Sequence, residues 1–150
     1  MKYEEIEIKI AQQSGKCVEF GNSSNAPTPD AIAKVEERIG ITLPESYKWF
    51  LANYAGGEVG GIEIFSIYEN FSLSVPSGDI SYMYLTILGN QLISSHEIPL
   101  MLSEFSEIFA FDSSQSFWGE YPVIRKTDSN ELFADNFIEF LGKLIDIHSD

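Results

Sequence analysis

Leu43-Pro44-Glu45-Ser46-Tyr47-Lys48-Trp49-Phe50-Leu51-Ala52-Asn53-Tyr54-Ala55-Gly56-Gly57 is the stretch from which the rest of this chain is read. Pro44 suits the first helical position, because its missing N–H has no partner there and its fixed φ is already helical. Glu45 then stands at the positive end of the helix dipole. Tyr47, Phe50, Leu51 and Tyr54 fall at i, i+3, i+4 and i+7, which places four large side chains on one face and demands that the face be buried. Gly56 and Gly57 follow the last periodic residue and can close the helix at positive φ without a Cβ penalty. The spacing predicts one capped helix of about three turns.

Upstream, Thr28 is a good N-cap for a second helix, with Pro29 at its first position and Asp30 in its first turn. Ile32, Val35 and Ile39 line one side of it and Gly40 ends it, so only residues 41–43 separate the two helices, which predicts a compact αα unit. Residues 3–13 carry two patterns. Glu5-Ile6-Glu7-Ile8-Lys9-Ile10 alternates as a half-buried strand does, yet Glu5 and Lys9 make a favourable i, i+4 pair and Ile6 and Ile10 share a helical face. Residues 13–26 read as a loop around a short extended Cys17-Val18-Glu19-Phe20.

Downstream, residues 62–67 are β-branched and aromatic and predict a strand. The pattern is weakest over residues 68–105, where Pro76-Ser77-Gly78-Asp79 reads as a turn and residues 80–88 as a strand ended by Gly89-Asn90. Further strands are predicted over residues 107–111 and 121–125, with residues 113–120 as the turn between them. Asp135 can cap a last helix in which Phe137, Phe140, Leu141, Leu144 and Ile145 form a wide apolar face. Gly142 inside it costs about 1 kcal/mol relative to Ala, which points to a close packing approach. Helices, then strands, then a helix define an α+β class: one domain over residues 1–150, with an antiparallel or mixed sheet packed by N-terminal helices and a C-terminal helix.

The chain is strongly acidic, with 9 Lys and Arg against 23 Asp and Glu and a formal net charge of −14. Between Trp49 and Ile124 there is no Lys or Arg, while Glu58, Glu63, Glu69, Asp79, Glu97, Glu104, Glu107, Asp112 and Glu120 all carry negative charge. Such a surface repels nucleic acid and anionic lipid and steers basic partners by long-range attraction, although acidity alone also serves solubility. No apolar run reaches the ~18 residues of a membrane span and the first residues lack a signal-peptide core, so a soluble chain is expected. The single Cys17 excludes an internal disulfide and a cysteine-rich zinc site, which fits a reducing cytosol.

Catalytic and metal-binding patterns are sparse. His148 lies near the C-terminus and suits the end of a helix dipole better than a reaction. His96, in Ser94-Ser95-His96-Glu97, has the residue types of a nucleophilic triad without a nucleophile elbow and reads as a surface histidine. Cys17 has only Lys16 as a basic neighbour and reads as an inert thiol. No His-x-x-x-His pair, paired cysteine or EF-hand loop occurs, and the Gly56-Gly57 and Gly60-Gly61 loop holds Glu58 where a phosphate cradle would need a lysine. Glu36 and Glu37, adjacent on a helix, diverge by about 100° and form no catalytic pair. No catalytic residue, cofactor or metal is expected. Trp49, off the buried face of its helix, reads as packing against another element ahead of an exposed anchor. Trp118, between Phe117 and Tyr121 and rimmed by Asp112 and Glu120, reads equally as a protein-binding hot spot or as a ring tucked under the sheet.

The helix pair also carries a resemblance. Glu37, Gly40, Leu43, Pro44, Tyr47, Phe50, Leu51, Gly56 and Gly57 match the signature of the SUKH superfamily, in which a "Glu, x, x, Gly, x, x, Leu-Pro" run leads into a Tyr-x-x-Phe-Leu helix and a Gly-Gly. Ile108-Phe109-Ala110-Phe111-Asp112, Gly119-Glu120-Tyr121-Pro122-Val123-Ile124 and Phe137-Ile138-Glu139-Phe140-Leu141 resemble its later blocks in the same order, so the likeness covers most of the chain. It implies a helix for residues 3–13. For function it implies a bacterial immunity protein of a polymorphic or contact-dependent toxin system, one that binds and neutralises a cognate toxin domain in the producer's cytoplasm. The acidic middle of the chain favours a basic toxin, such as a nuclease, with Glu58, Glu63, Glu69, Asp79, Trp118 and Glu120 as the expected contact residues and no binding to nucleic acid or membrane. The alternative is a regulatory protein-interaction module like the fungal SMI/KNR-type proteins that share the fold, which tend to be longer.

Overall fold

The computed structural model describes residues 1–68 and 78–149. Among these the chain runs α1 (Tyr3–Gln13), β1 (Val18–Phe20), α2 (Pro29–Ile39), α3 (Glu45–Tyr54), β2 (Gly57–Val59), β3 (Ile62–Ile64), α4 (Ile80–Gly89), β4 (Glu97–Leu102), β5 (Ile108–Asp112), β6 (Val123–Lys126), β7 (Asn130–Ala134) and α5 (Phe137–His148). The strands form one seven-stranded sheet in the order β1-β2-β3-β4-β5-β6-β7. Every ladder between them is antiparallel. The fold is therefore α+β with an antiparallel meander, and the mixed arrangement that the sequence left open does not occur among the described strands.

α5 reaches from β2 to β7, and both α1 and α3 pack on it, while α4 packs on β4 and α2 on α4. The face read from residues 43–57 lies at the centre of this arrangement. Tyr47, Phe50 and Leu51 are fully buried, and their rings join those of α5 and β5: Phe50 lies 5.2 Å from Phe137, and Tyr47 lies 5.4 Å from Phe137 and 5.6 Å from Phe111. The Tyr47 hydroxyl donates to the Phe65 carbonyl at 2.6 Å, just beyond β3, so the buried phenol is satisfied and its pKa is raised well above 10 by loss of water. Trp49 packs on Tyr3 of α1, the rings tilted and 4.6 Å apart, and Gly142 of α5 faces the end of the Met1 side chain, with Ile6 of α1 at ordinary contact distance. The first of these is packing between elements, and the second is a close approach of the chain start to α5.

The two ends of α3 differ from expectation in an informative way. Pro44 is the N-cap, with extended φ −65° and ψ 149°, and not the first helical residue. At the other end Ala55 takes the left-handed cap at φ 64°, and the two glycines serve a separate need. A Cβ on Gly57 would fall on the Glu19 carbonyl, so this glycine lets β2 lie against β1, while one on Gly56 would fall on Ser66, just beyond β3.

The principal misreading concerns residues 80–88, which form a helix and not a strand. Their β-branched and aromatic composition suits a strand, but an apolar run of this length does not distinguish the two states. The deciding side chain is Asp79, whose Oδ1 accepts from the Tyr82 N–H at 2.9 Å and the Ser81 hydroxyl at 2.7 Å, an N-cap. Ile80, Tyr84 and Ile87 are then buried at helical spacing. β4 lies in the stretch where the sequence pattern is weakest and has no counterpart among the expected strands; it contains Pro99, and a register shift between Pro99 and Met101 accommodates the missing N–H. β2 and β7 were also unassigned, and Asn136, not Asp135, caps α5 by accepting from the Glu139 N–H at 2.9 Å. The start of the expected turn at Pro76 and Ser77 lies outside the described residues.

Candidate partner-binding surface

Two surface features stand out, one beyond each end of α3. The first arises from register. Glu19 of β1, Glu58 of β2 and Glu63 of β3 are direct cross-strand partners, so their side chains leave the sheet on the same face. Their neighbours Val18, Val59 and Ile64 are buried on the other face. Directly opposed side chains in antiparallel strands have Cβ atoms about 4.5 to 5.5 Å apart, and like charges so placed destabilise the sheet. Among the described residues none of the three forms an ion pair. Glu19 and Glu58 are exposed, whereas Glu63 is half-buried and accepts a hydrogen bond from the Tyr68 hydroxyl. That phenol is pushed up to about 12 by burial first, then by its bond to Glu63 and the charge there.

The second feature is the tip of the β5–β6 connection. Phe117 N–H donates to the Glu120 carbonyl at 2.9 Å and Glu120 N–H to the Phe117 carbonyl at 3.0 Å, with Trp118 at φ 54° and Gly119 at φ 76° between them. Positive φ at both central residues is the signature of a type I′ turn. The ring of Trp118 is 86% exposed and that of Phe117 72%, 5.9 Å apart and edge to face. Beside them runs an open groove of about 530 Å³, lined by Gln115, Phe117, Trp118, Glu120, Pro122, Asp135 and Asn136. The β6–β7 ladder brings Asp135 there, because Val123 at the start of β6 pairs with Ala134 at the end of β7.

The remaining acidic residues of the expected contact set lie elsewhere. Asp79 is fully buried, and its second oxygen accepts from the Tyr68 N–H at 2.9 Å; with both oxygens engaged it organises α4 and presents no charge to a partner. Glu120 is half-buried and its carboxylate caps α3 from a distance, accepting from the Ser46 N–H at 2.9 Å and the Ser46 hydroxyl at 2.5 Å. Pro44 offers no capping side chain, so Glu120 supplies what the N-cap lacks. The same hairpin is fastened by Glu45 N–H to the Gly119 carbonyl at 3.0 Å and by the Tyr121 hydroxyl to the Thr42 carbonyl at 2.6 Å. Glu69 lies outside the described residues.

Of the ionisable candidates, the His96 ring stands 3.6 Å from Asp112, whose carboxylate already accepts from Ser114 N–H and hydroxyl as a turn cap. The Cys17 thiol, half-buried, meets Gln13 at 3.5 Å. His148 packs over Gly60, bracing the β2–β3 turn. Among the described residues no group of three acidic, histidine or cysteine side chains is disposed to hold a metal ion, and no helix is long and apolar enough to cross a membrane.

Glu19, Phe117 and Asp135 are not among the contact residues expected from sequence, where Asp135 reads as a helix cap and Phe117 only as a flank of Trp118. The signal for the stripe was present: Gly60-Gly61 as a two-residue turn already sets Glu58 opposite Glu63. Nothing local, in contrast, announces that β1 would place Glu19 alongside or that β7 would end beside Trp118.

The model of the SMI1/KNR4 family (SUKH-1) matches residues 26–143, and the chain belongs to that family. Its members are generally non-enzymatic binding modules, and membership is consistent with a protein-interaction role of the immunity type.

Proposed function

We propose that this protein is an immunity protein, one that binds and neutralises a cognate basic toxin domain, such as a nuclease, in the cytoplasm of the cell that makes both. The observation that carries the reading is the row Glu19, Glu58 and Glu63: three carboxylates on one face of the sheet, side by side, none in an ion pair among the described residues, the outer two exposed and Glu63 half-buried against Tyr68. That arrangement costs stability, and a cationic partner surface would convert the repulsion into attraction and accelerate encounter. Nucleic acid and anionic membranes, being anionic, are disfavoured partners for it.

A cognate toxin domain is expected in a neighbouring gene; co-expression with it is expected to restore growth, and Glu19→Lys/Glu58→Lys/Glu63→Lys is expected to abolish rescue while the chain stays folded. Growth that is not restored by the wild-type chain would overturn the proposal. An association rate for the isolated pair that does not change with salt would remove the carboxylate row from it.

A further inference from the structure

The β2–β3 turn and the Phe117–Glu120 turn share the same backbone requirement, but they meet it differently. The first uses Gly60 and Gly61, at φ 60° and 79°. The second places a tryptophan where Asn, Asp or Gly is preferred, so the indole is held at left-handed φ against its own steric preference. The strain gains no packing for the fold, since the ring is 86% exposed. It does aim two aromatic faces at the groove.

The chemistry of the groove narrows what can fill it. Its walls are Phe117, Trp118 and Pro122, its charged lining is Glu120 and Asp135, and no Lys or Arg lines it. Glu120 is committed to Ser46, but Asp135 is exposed and makes no hydrogen bond or ion pair among the described residues. An anion would be repelled, and a purely apolar ligand would strip water from Asp135 without compensation. A cation over the indole gains from both the ring quadrupole and the carboxylate.

We propose that this groove receives a basic side chain, a guanidinium or ammonium, from the partner protein. The inference rests on the chain being a binder of a basic protein and deepens that reading. The carboxylate row beyond the C-terminal end of α3 attracts at long range, and the groove at its N-terminal end makes a specific contact.

The test is a titration of the ¹⁵N-labelled full chain with hexa-arginine and, in parallel, hexacitrulline, its neutral analogue, following the Trp118 indole N–H. Trp49, packed on Tyr3, is the internal control. Hexa-arginine is expected to shift the Trp118 signal saturably and hexacitrulline to leave it in place. Asp135→Asn is expected to weaken the affinity read at Trp118 about two- to fivefold, with Trp49 and the melting temperature unchanged. A still Trp118 signal while the amides of Glu19, Glu58 and Glu63 move would overturn the proposal, since the row alone would then collect the cation. Equal shifts with hexacitrulline would overturn it too, by making the tip an apolar contact. Either result leaves growth rescue to stand or fall separately. Failed rescue with an intact hexa-arginine response would remove the toxin and keep the groove.

Discussion

At the scale of single residues, Trp118 and Glu120 occupy neighbouring positions with opposite consequences for stability. Trp118 sits at φ 54° in a turn position that Asn tolerates better. Trp118→Asn is expected to stabilise the protein by about 1 kcal/mol in urea denaturation while weakening partner binding in calorimetry. Glu120→Ala has the reverse sign for stability, because it removes the distant cap of α3 and leaves the buried Ser46 hydroxyl without its acceptor. A loss of about 2 kcal/mol is expected in the same measurement. Among the described residues the tip then keeps its bonds to Glu45 and Thr42, so any effect of Glu120→Ala on partner binding is expected to come through the position of the tip.

At the scale of elements, α3 and the β1–β3 row separate fold from function. Phe50 is fully buried among Phe20, Phe137 and Tyr47, and Phe50→Ala is expected to cost about 3 to 5 kcal/mol. Variants that remain folded should bind as the parent does, which titration of the purified protein checks. Glu58 has the opposite profile. It is exposed between Glu19 and Glu63, and Glu58→Lys turns two like-charge pairs into two opposite-charge pairs. Stability is expected to rise by about 0.5 to 1 kcal/mol at low ionic strength, with the gain fading as salt is added. Association with a basic partner should slow in stopped-flow measurements. A residue whose replacement stabilises the fold and slows binding is serving the partner.

At the scale of the whole molecule, a net charge of −14 on 150 residues opposes the compact state. Raising NaCl from about 10 mM to about 0.5 M is expected to raise the melting temperature by about 2 to 4 °C in differential scanning calorimetry, equivalent to about 1 kcal/mol for a chain of this size. Where cations do occur in the outer strands they are already spent: Lys126 meets the buried Glu97 at 2.9 Å and Arg125 meets Glu131 at 2.6 Å. Among the described residues no ion pair forms with Glu19, Glu58 or Glu63.

What the amino-acid sequence determined by itself was what helical periodicity encodes, while the caps of α3, α4 and α5 were settled by the structure. The helices α2 and α3, the buried face of Tyr47, Phe50 and Leu51 and the apolar face of α5 all follow helical spacing, so neighbours along the chain carry the information; the expected packing of α2 on α3 does not occur, since α2 lies on α4 and α3 on α5. The absence of basic residues from 49 to 124 was equally plain. What the tertiary structure alone decided were relations between residues far apart. Residues 80–88 became a helix because Asp79 is buried as its cap, and Glu120 became a cap because its hairpin docks on a proline-started helix 74 residues away. Asp79 and Glu120 carry the same charge as Glu58 and Glu63, but their hydrogen bonds to distant backbone and hydroxyl groups assign them to the fold. Strand register leaves Glu19 and Glu58 exposed and sets the half-buried Glu63 beside them.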